Sequence, residues 1–127
     1  MCGIAGYIGK KRIADDRLND CLESLFHRGP DAKGIYRLEE ENFNIYLLHT
    51  RLSIIDIDPR SNQPFETKKS VLVFNGEIYN YLEIRKELEA LGKIFLTNGD
   101  TEVLNEALEI WGEDALYKLD GMFLSLI

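Results

Sequence analysis

The residue of this sequence best suited to chemistry is Cys2, because only the initiator methionine precedes it. Removal of Met1, which the small side chain of Cys2 favours, would leave a thiol and a free α-amino group on one residue. An α-amine has a pKa of about 7.7–8.0, so near neutral pH a useful fraction can accept the proton of an attacking thiol. Cys2 is therefore a candidate nucleophile whose own amine acts as the base. The plain alternative is a cysteine that simply stands second in the chain.

Asn75, Gly76 and Glu77 form the second group of candidate residues, directly after an apolar run. An Asn side-chain amide and a Gly N–H can both point at one oxygen, as a tetrahedral oxyanion requires. The neighbouring Glu77 carboxylate suits an ammonium group. The Asn-Gly pair is also a strong short-range signal for a type I′ hairpin turn, and we predict that turn here whatever its function.

Arg51 and Asp100 complete the set. The planar guanidinium of Arg51 is well shaped to bind a carboxylate, although an arginine between two apolar runs is often a surface residue. Asp100 reads most simply as a helix N-cap, and with Glu77 it could instead hold a substrate ammonium. All these groups together would fit a small α-amino acid with a carbonyl side chain. The contributing residues would be Cys2, Arg51, Asn75, Gly76, Glu77 and Asp100.

The histidines and the remaining charged turn give weaker signals. His27-Arg28-Gly29-Pro30-Asp31 is a rigid turn with charges on either side, and by itself it could be only a loop. Neither His27 nor His49 has a metal-ligand partner at suitable spacing, so we predict no metal site. The sequence also contains no phosphate-binding loop, so we do not expect this chain to bind ATP.

Composition limits the class of protein. The 127 residues suit one domain, with 45% hydrophobic and 29% charged residues. A net charge of −7 without a large basic cluster argues against nucleic acid or an anionic membrane as the main partner. No apolar run approaches the roughly 18 residues of a membrane span, and no signal peptide precedes Cys2. We therefore expect a cytoplasmic protein with Cys2 and Cys21 reduced. Cys21 lies on the apolar stripe of a predicted helix, so we expect it to be a core residue.

Hydrophobic periodicity predicts an alternation of strands and helices. The predicted strands are Met1–Gly6, Gly34–Leu38, Phe43–His49, Leu52–Ile57, Val71–Phe74, Lys93–Leu96 and Met122–Ile127. The predicted helices are one carrying Leu18 to Phe26 and capped by Asp15 or Asp16, then Asn80–Leu91, Asp100–Trp111 and a final turn or two over Glu113–Leu119. Asn80 and Glu83 match a capping box at the start of the second helix.

Six motifs, in order along the chain, resemble those of class II glutamine amidotransferase domains, especially those of glutamine-hydrolysing asparagine synthetases. The motifs are Met1–Gly6, His27–Asp31, Arg51–Asp56, Asn75–Asn80, Gly99–Glu102 and Leu119–Phe123. Each motif alone is moderately specific, whereas the ordered set with a cysteine at position 2 is very specific. The resemblance therefore spans the whole chain.

The resemblance implies an α+β fold of the N-terminal nucleophile (Ntn) hydrolase type, an αββα sandwich of two antiparallel sheets between helical layers. It implies that Cys2 attacks the side-chain amide of glutamine, that ammonia leaves, and that a thioester is hydrolysed to glutamate without a cofactor. By the same resemblance, Asn75 and Gly76 form the oxyanion hole. Arg51 binds the substrate carboxylate, and Glu77 with Asp100 binds its amino group.

The family's glutaminase domain continues beyond the Leu119–Phe123 motif, and a synthetase domain that uses ATP and Mg follows it. Neither is part of this sequence, so we expect residues 1–127 to be a glutaminase domain incomplete at its C-terminus. We also expect it to pair with another copy of itself or with a separate synthetase chain. In its nearest relatives the ammonia would convert aspartate to asparagine.

Other functions remain open from the sequence. The chain could be a non-catalytic module that binds glutamine or a partner, or a related amidohydrolase acting on another amide. It could also supply ammonia to a different acceptor, such as a sugar.

Overall fold

The computed structural model describes residues 2–54 and 58–127, and it combines three α-helices with six strands over those residues. The strands are β1 Gly3–Gly9, β2 Ala32–Glu39, β3 Asn44–Arg51, β4 Phe65–Glu66, β5 Val71–Ile78 and β6 Gly121–Leu126. The helices are α1 Asp15–Leu25, α2 Tyr81–Ala90 and α3 Asp100–Trp111, with 3₁₀ turns at Phe26–Arg28, Pro59–Ser61 and Gly112–Tyr117. The expected α+β class is confirmed.

The first sheet has the strand order β1-β3-β2 and is antiparallel throughout. Helix α1 covers one face of it, because Leu18 and Leu22 are one turn apart and pack together on Tyr46 and Leu48 of the central strand. Cys21 lies on the apolar face of α1, as predicted, but it is only partly buried and packs at the margin of the same cluster. The buried central strand thus fixes both neighbouring strands, and its last residue is Arg51.

The second sheet is also antiparallel, with the order β4-β5-β6. Helix α3 lies against it through Leu104, which packs in one cluster with Leu72, Phe74 and Ile78 of β5. Helix α2 packs in turn on α3 through a separate apolar cluster. The first residue of α3 is therefore held close to the end of β5.

The two sheets contact each other through their central strands. His49 on β3 donates from its Nε2 atom to the main-chain oxygen of Phe74 on β5, at 3.2 Å. The neighbouring strands β1 and β6 also approach each other closely, because a Cβ added to Gly6 of β1 would lie 2.8 Å from Cδ1 of Leu126 of β6. These contacts bring the ends of β1, β3 and β5 together.

The predicted hairpin turn at Asn75-Gly76 is wrong. Strand β5 continues through this pair to Ile78, and Gly76 pairs with Phe123 of β6. Gly76 has φ +153°, and a Cβ there would lie 2.2 Å from the main-chain oxygen of Met122. Glycine is needed for close approach of β6, so long-range pairing overrides the local turn preference.

Two other strand predictions are wrong. Residues 93–96 form no strand, and Leu52, Ser53 and Ile54 follow β3 without strand pairing, whereas residues 55–57 lie outside the described residues. Thr50 and Arg51, predicted to separate two strands, belong to β3. The opening strand begins at Gly3 and is only partly buried.

The helix caps also differ from the predictions. Ala14, and not Asp15 or Asp16, is the N-cap of α1, and Gly99 precedes Asp100 as the N-cap of α3. Asn80 does occupy the N-cap of α2, but its side chain makes no capping hydrogen bond. It instead bonds the main chain of residues 118 and 120, so its side chain holds the approach to β6. The bounds of α3 itself agree with the prediction.

Within the described residues, none of the helices has the length and apolar character needed to cross a membrane.

Candidate active site

A cavity of about 220 Å³ opens where the ends of β1, β3 and β5 meet the start of α3. It is smaller than the roughly 300–1,000 Å³ of sites for drug-sized ligands, which suits an amino acid. All six residues predicted from the sequence line it. They are Cys2, Arg51, Asn75, Gly76, Glu77 and Asp100. The structure thus brings together residues that span most of the sequence, and their individual roles stay predictions.

Cys2 is anchored to the chain that follows β3. The main-chain N–H of Leu52 donates to the sulfur at 3.4 Å, and the thiol lies 3.8 Å from the Leu52 carbonyl oxygen. Arg28 donates from Nε to the carbonyl oxygen of Cys2 at 3.1 Å. These contacts hold the main chain and the sulfur of Cys2 in the cavity wall, while the residue stays partly exposed.

The charged turn at residues 27–31 has a positional role that the sequence alone left open. A Cβ on Gly29 would lie 2.3 Å from the carbonyl oxygen of Thr50, so the turn packs directly on the end of β3. The N–H of Asp31 donates to the Arg51 carbonyl oxygen at 2.9 Å, and its carboxylate accepts from the N–H of Ser53 at 2.7 Å. With the Arg28 contact, the turn fixes both Cys2 and the backbone of Arg51.

Arg51 is buried, at 7% exposure, and so it is not the surface residue that its position could also have indicated. Its Nη1 atom donates to the Asp58 carbonyl oxygen at 3.1 Å and to Oδ1 of Asn62 at 2.7 Å. These two bonds orient the guanidinium at the cavity wall. A buried cation at the cavity wall is suited to an anionic group.

Asn75, Gly76 and Glu77 reach the cavity from the last part of β5. Side chains two residues apart point to the same face of a strand, so Asn75 and Glu77 share a face. The Oδ1 atom of Asn75 is buried without a hydrogen-bond partner among the described residues. Glu77 is exposed at the rim. This part of the cavity therefore combines an amide group with a solvated carboxylate.

Asp100 is the first residue of α3 and is 6% exposed. Its Oδ2 atom accepts from the N–H of Ile78 at 3.2 Å, which ties the helix to the end of β5. Burial raises the pKa of Asp100, and the nearby Glu77 carboxylate raises it further, while main-chain N–H groups oppose the shift. A ligand cation between the two carboxylates would relieve this repulsion.

Sequence reasoning missed two polar residues that bond the main chain of Phe74, Gln63 and His49. Gln63 lines the cavity, and its Oε1 atom accepts from the N–H of Phe74 at 2.5 Å. His49 bonds the carbonyl oxygen of the same residue, and burial together with the Arg51 charge lowers the pKa of His49 to about 4. The only sequence signal at Gln63 was a polar residue before Pro64, which does not distinguish it from an ordinary loop residue.

No group of three or more His, Cys, Asp or Glu side chains in residues 2–54 and 58–127 is arranged to hold a metal ion.

Comparison with known proteins identifies the class. A family model described as a glutamine amidotransferase domain matches residues 1–127, and the chain belongs to this family. Among curated proteins it is 40% identical, over its full length, to asparagine synthetase [glutamine-hydrolyzing] 1 of Bacillus subtilis (strain 168). It is 41% identical to asparagine synthetase [glutamine-hydrolyzing] of Brassica oleracea, over 97% of the chain. It is 43% identical, also over 97% of its length, to the putative asparagine synthetase [glutamine-hydrolyzing] of Mycobacterium tuberculosis (strain ATCC 25618 / H37Rv). The chain spans 20% of the first of these relatives and 21% of each of the other two.

Proposed function

We propose that this domain hydrolyses glutamine to glutamate and ammonia through a thioester on Cys2. The observation that carries the proposal is the single cavity that gathers a thiol, a buried guanidinium, an amide with a glycine N–H, and two carboxylates. Each group matches one part of glutamine. The family and the names of its relatives point to the same substrate.

The reaction begins when the α-amine of Cys2, exposed by removal of Met1, takes the thiol proton. The sulfur then bonds to the side-chain amide carbon of glutamine, and the carbonyl oxygen becomes an oxyanion. The carbon–nitrogen bond breaks, the nitrogen gains the proton, and ammonia leaves. Water then adds to the thioester, the carbon–sulfur bond breaks, and glutamate and the Cys2 thiol are released.

The side-chain amide of Asn75 and the N–H of Gly76 would donate to the oxyanion. Donors fixed in advance at such a position are worth about 3 kcal/mol of the barrier each. Both residues are paired with β6, Asn75 opposite Leu124 and Gly76 opposite Phe123, so little reorganisation is needed during the reaction. The oxyanion hole is thus a property of β5 and not of a flexible turn.

Arg51 would bind the α-carboxylate of glutamine, while Glu77 and Asp100 would bind its ammonium. Burial strengthens these charge interactions for Arg51 and Asp100. Anchoring the amino-acid end places the side-chain amide at a fixed distance from the sulfur. Asparagine is one methylene shorter, and we expect it to be a substrate disfavoured by about 1–3 kcal/mol.

We also propose that the fold is the Ntn-hydrolase αββα sandwich. Its support is that α1 packs on the first sheet, α3 packs on the second, and the sheets contact each other between them. In this arrangement, the nucleophile at the start of β1 lies beside the central strands of both sheets.

The ammonia would pass to a synthetase domain, joined to this domain or supplied by a separate chain. The relatives are named asparagine synthetases, so we propose asparagine as the final product. ATP and Mg would serve only that synthetase step, and no cofactor is assigned to the glutaminase step. Adding aspartate, ATP and Mg with a separately expressed synthetase domain of a full-length relative would test this, with labelled asparagine from amide-labelled glutamine as the readout.

Glutamate release by purified protein tests the proposed function. Wild type, Cys2→Ala and Cys21→Ala would be assayed together, with intact mass to establish that Met1 is absent. We expect release by wild type and by the Cys21→Ala control, and none above background by Cys2→Ala. Equal release by Cys2→Ala, or no release by wild type lacking Met1, would overturn the proposal.

A further inference from the structure

Both main-chain hydrogen-bonding groups of Phe74 are held by side chains from outside its own sheet. Its N–H donates to Oε1 of Gln63 at 2.5 Å, and its carbonyl oxygen accepts from Nε2 of His49 at 3.2 Å. Phe74 immediately precedes Asn75, so these contacts set the peptide plane next to the proposed oxyanion donors. A main-chain N–H can only donate, which fixes the Gln63 oxygen toward Phe74 and its amide nitrogen away from it.

The amide nitrogen of Gln63 has its own partner, which also lines the cavity. It donates to Oγ1 of Thr101 at 3.3 Å, and Thr101 directly follows Asp100 in the first turn of α3. One side chain therefore bonds both the strand that carries Asn75 and the helix that carries Asp100.

The main chain of Gln63 is held as firmly as its side chain. A Cβ added to Gly34 of β2 would lie 2.0 Å from the Gln63 carbonyl oxygen, so β2 packs directly on this residue. Gln63 is 7% exposed, and Thr101 is equally buried. Buried polar groups that are fully bonded hold their neighbours in a single arrangement. Gln63 thus contacts the first sheet, the second sheet and α3.

We propose that Gln63 is a positioning residue that couples the oxyanion donors of β5 to the ammonium-binding end of α3. This inference rests on the proposed function. Gln63 acts through Phe74 and Thr101 and need not touch glutamine for the coupling. Its loss would let the Phe74–Asn75 peptide shift against Asp100, which weakens binding of the oxyanion more than binding of glutamine itself.

The test compares four variants with wild type. Gln63→Met removes both hydrogen bonds at similar volume, Gln63→Glu keeps an acceptor for Phe74, and Thr101→Val removes only the bond to α3. Asn105→Leu is the matched control, because Asn105 is a fully buried amide of α3 that bonds Ser70 and Glu109. The readouts are kcat and KM for glutamate release, and hydrogen exchange at the Phe74 amide measured by NMR.

We expect Gln63→Met to lower kcat by at least about 10-fold with KM changed by less than about 3-fold, because the oxyanion forms only in the transition state. We expect Phe74 exchange to be at least about 10-fold faster in this variant. Gln63→Glu should recover part of both quantities. Thr101→Val should give an intermediate loss of kcat, and it provides the test if Gln63→Met does not fold. Asn105→Leu should lower stability and leave kcat within about 2-fold.

Normal kcat in folded Gln63→Met and Thr101→Val would overturn the inference, as would unchanged protection of the Phe74 amide. An Asn105→Leu control that loses as much kcat as Gln63→Met would also overturn it, because the effect would then be general destabilisation. Wild type that releases no glutamate would overturn the proposed function. The exchange readout would still decide whether Gln63 fixes β5, since it requires no turnover.

Discussion

The main-chain N–H of Leu52 donates to the sulfur of Cys2 at 3.4 Å, although 50 positions separate the two residues. The contact follows from strand register, since β1 pairs antiparallel with β3 and Gly3 lies opposite Thr50. This register places the proposed nucleophile beside the end of the strand that carries Arg51. A thiol near the chain terminus is thereby fixed at the same edge as the proposed carboxylate-binding group.

Asn75→Ala tests the oxyanion hole. We expect kcat for glutamate release to fall by about 10²–10³-fold with little change in KM, because the amide would bind the oxyanion and not the ground-state amide. Asn75 Oδ1 has no partner among the described residues, so its removal should leave the melting temperature nearly unchanged. Asn80→Ala, outside the cavity, is the control that should lose stability but keep kcat. A parallel loss of glutamine binding in Asn75→Ala would instead indicate a ground-state contact.

Asp100→Asn separates stability from binding. Burial and the nearby Glu77 raise the pKa of Asp100, so the folded state holds this proton more tightly than the unfolded chain does. Asp100 therefore lowers the free energy of unfolding when the pH is above the folded-state pKa of its carboxyl. This destabilisation disappears when the pH falls below the pKa of Asp100 in the unfolded chain. We expect Asp100→Asn to melt higher than wild type at pH 7, with the difference shrinking on acidification.

The same Asp100→Asn variant should bind glutamine more weakly in calorimetry, because one carboxylate partner of the ammonium is lost. In wild type, glutamine binding should weaken on acidification. The weakening should begin at a higher pH than it would for an aspartate with an ordinary pKa. Unchanged affinity in the variant would contradict the ammonium assignment, whatever the melting curves show.

His49 should make stability depend on pH in acid. Its folded-state pKa of about 4 lies below the ordinary 6.5, so between these values the unfolded chain binds a proton that the folded state does not. The free energy of unfolding should therefore fall as pH drops from about 6.5 to 4, by about 3 kcal/mol from this residue. His49→Gln can still donate to Phe74 and should lack this component. Urea unfolding of both proteins at several pH values measures it, and identical pH profiles would refute it.

Gly76→Ala tests the close pairing of β5 and β6. The new Cβ would lie 2.2 Å from the Met122 oxygen at a φ of +153°, so we expect a loss of more than about 2 kcal/mol in unfolding free energy. Gly9→Ala is a suitable control, because the three atoms nearest to its Cβ would all belong to the Tyr7 side chain, which can shift more easily than backbone. Equal stability of the two variants would show that β6 does not pack on Gly76 as described.

The chemical groups were easier to predict from the sequence than the backbone that carries them. Side-chain chemistry pointed to Arg51, Glu77 and Asp100 without any knowledge of their distances, and the structure places all three on one cavity. The Asn75-Gly76 turn failed because the local preference for a hairpin cannot report that β6 pairs with this segment. Such long-range pairing decides the conformation here.

Helix positions show the same division between local and long-range information. The apolar spacing of α3 gave its bounds from Asp100 to Trp111, because one buried face repeats with the helical period. The capping box at Asn80 failed because its side chain bonds the chain before β6, far away in sequence. Gln63 was missed for the same reason, since its partners Phe74 and Thr101 are 11 and 38 positions away.

The most direct test of the central claim is to map covalent labelling by a chloromethyl ketone analogue of glutamine. Cys2 and Cys21 provide an internal comparison, because both are partly buried and only Cys2 lines the cavity. We predict one label per chain, on Cys2, slowed by excess glutamine, with Cys21 unmodified. Labelling of Cys21, or labelling of Cys2 that glutamine does not slow, would contradict Cys2 as the nucleophile of a glutamine site.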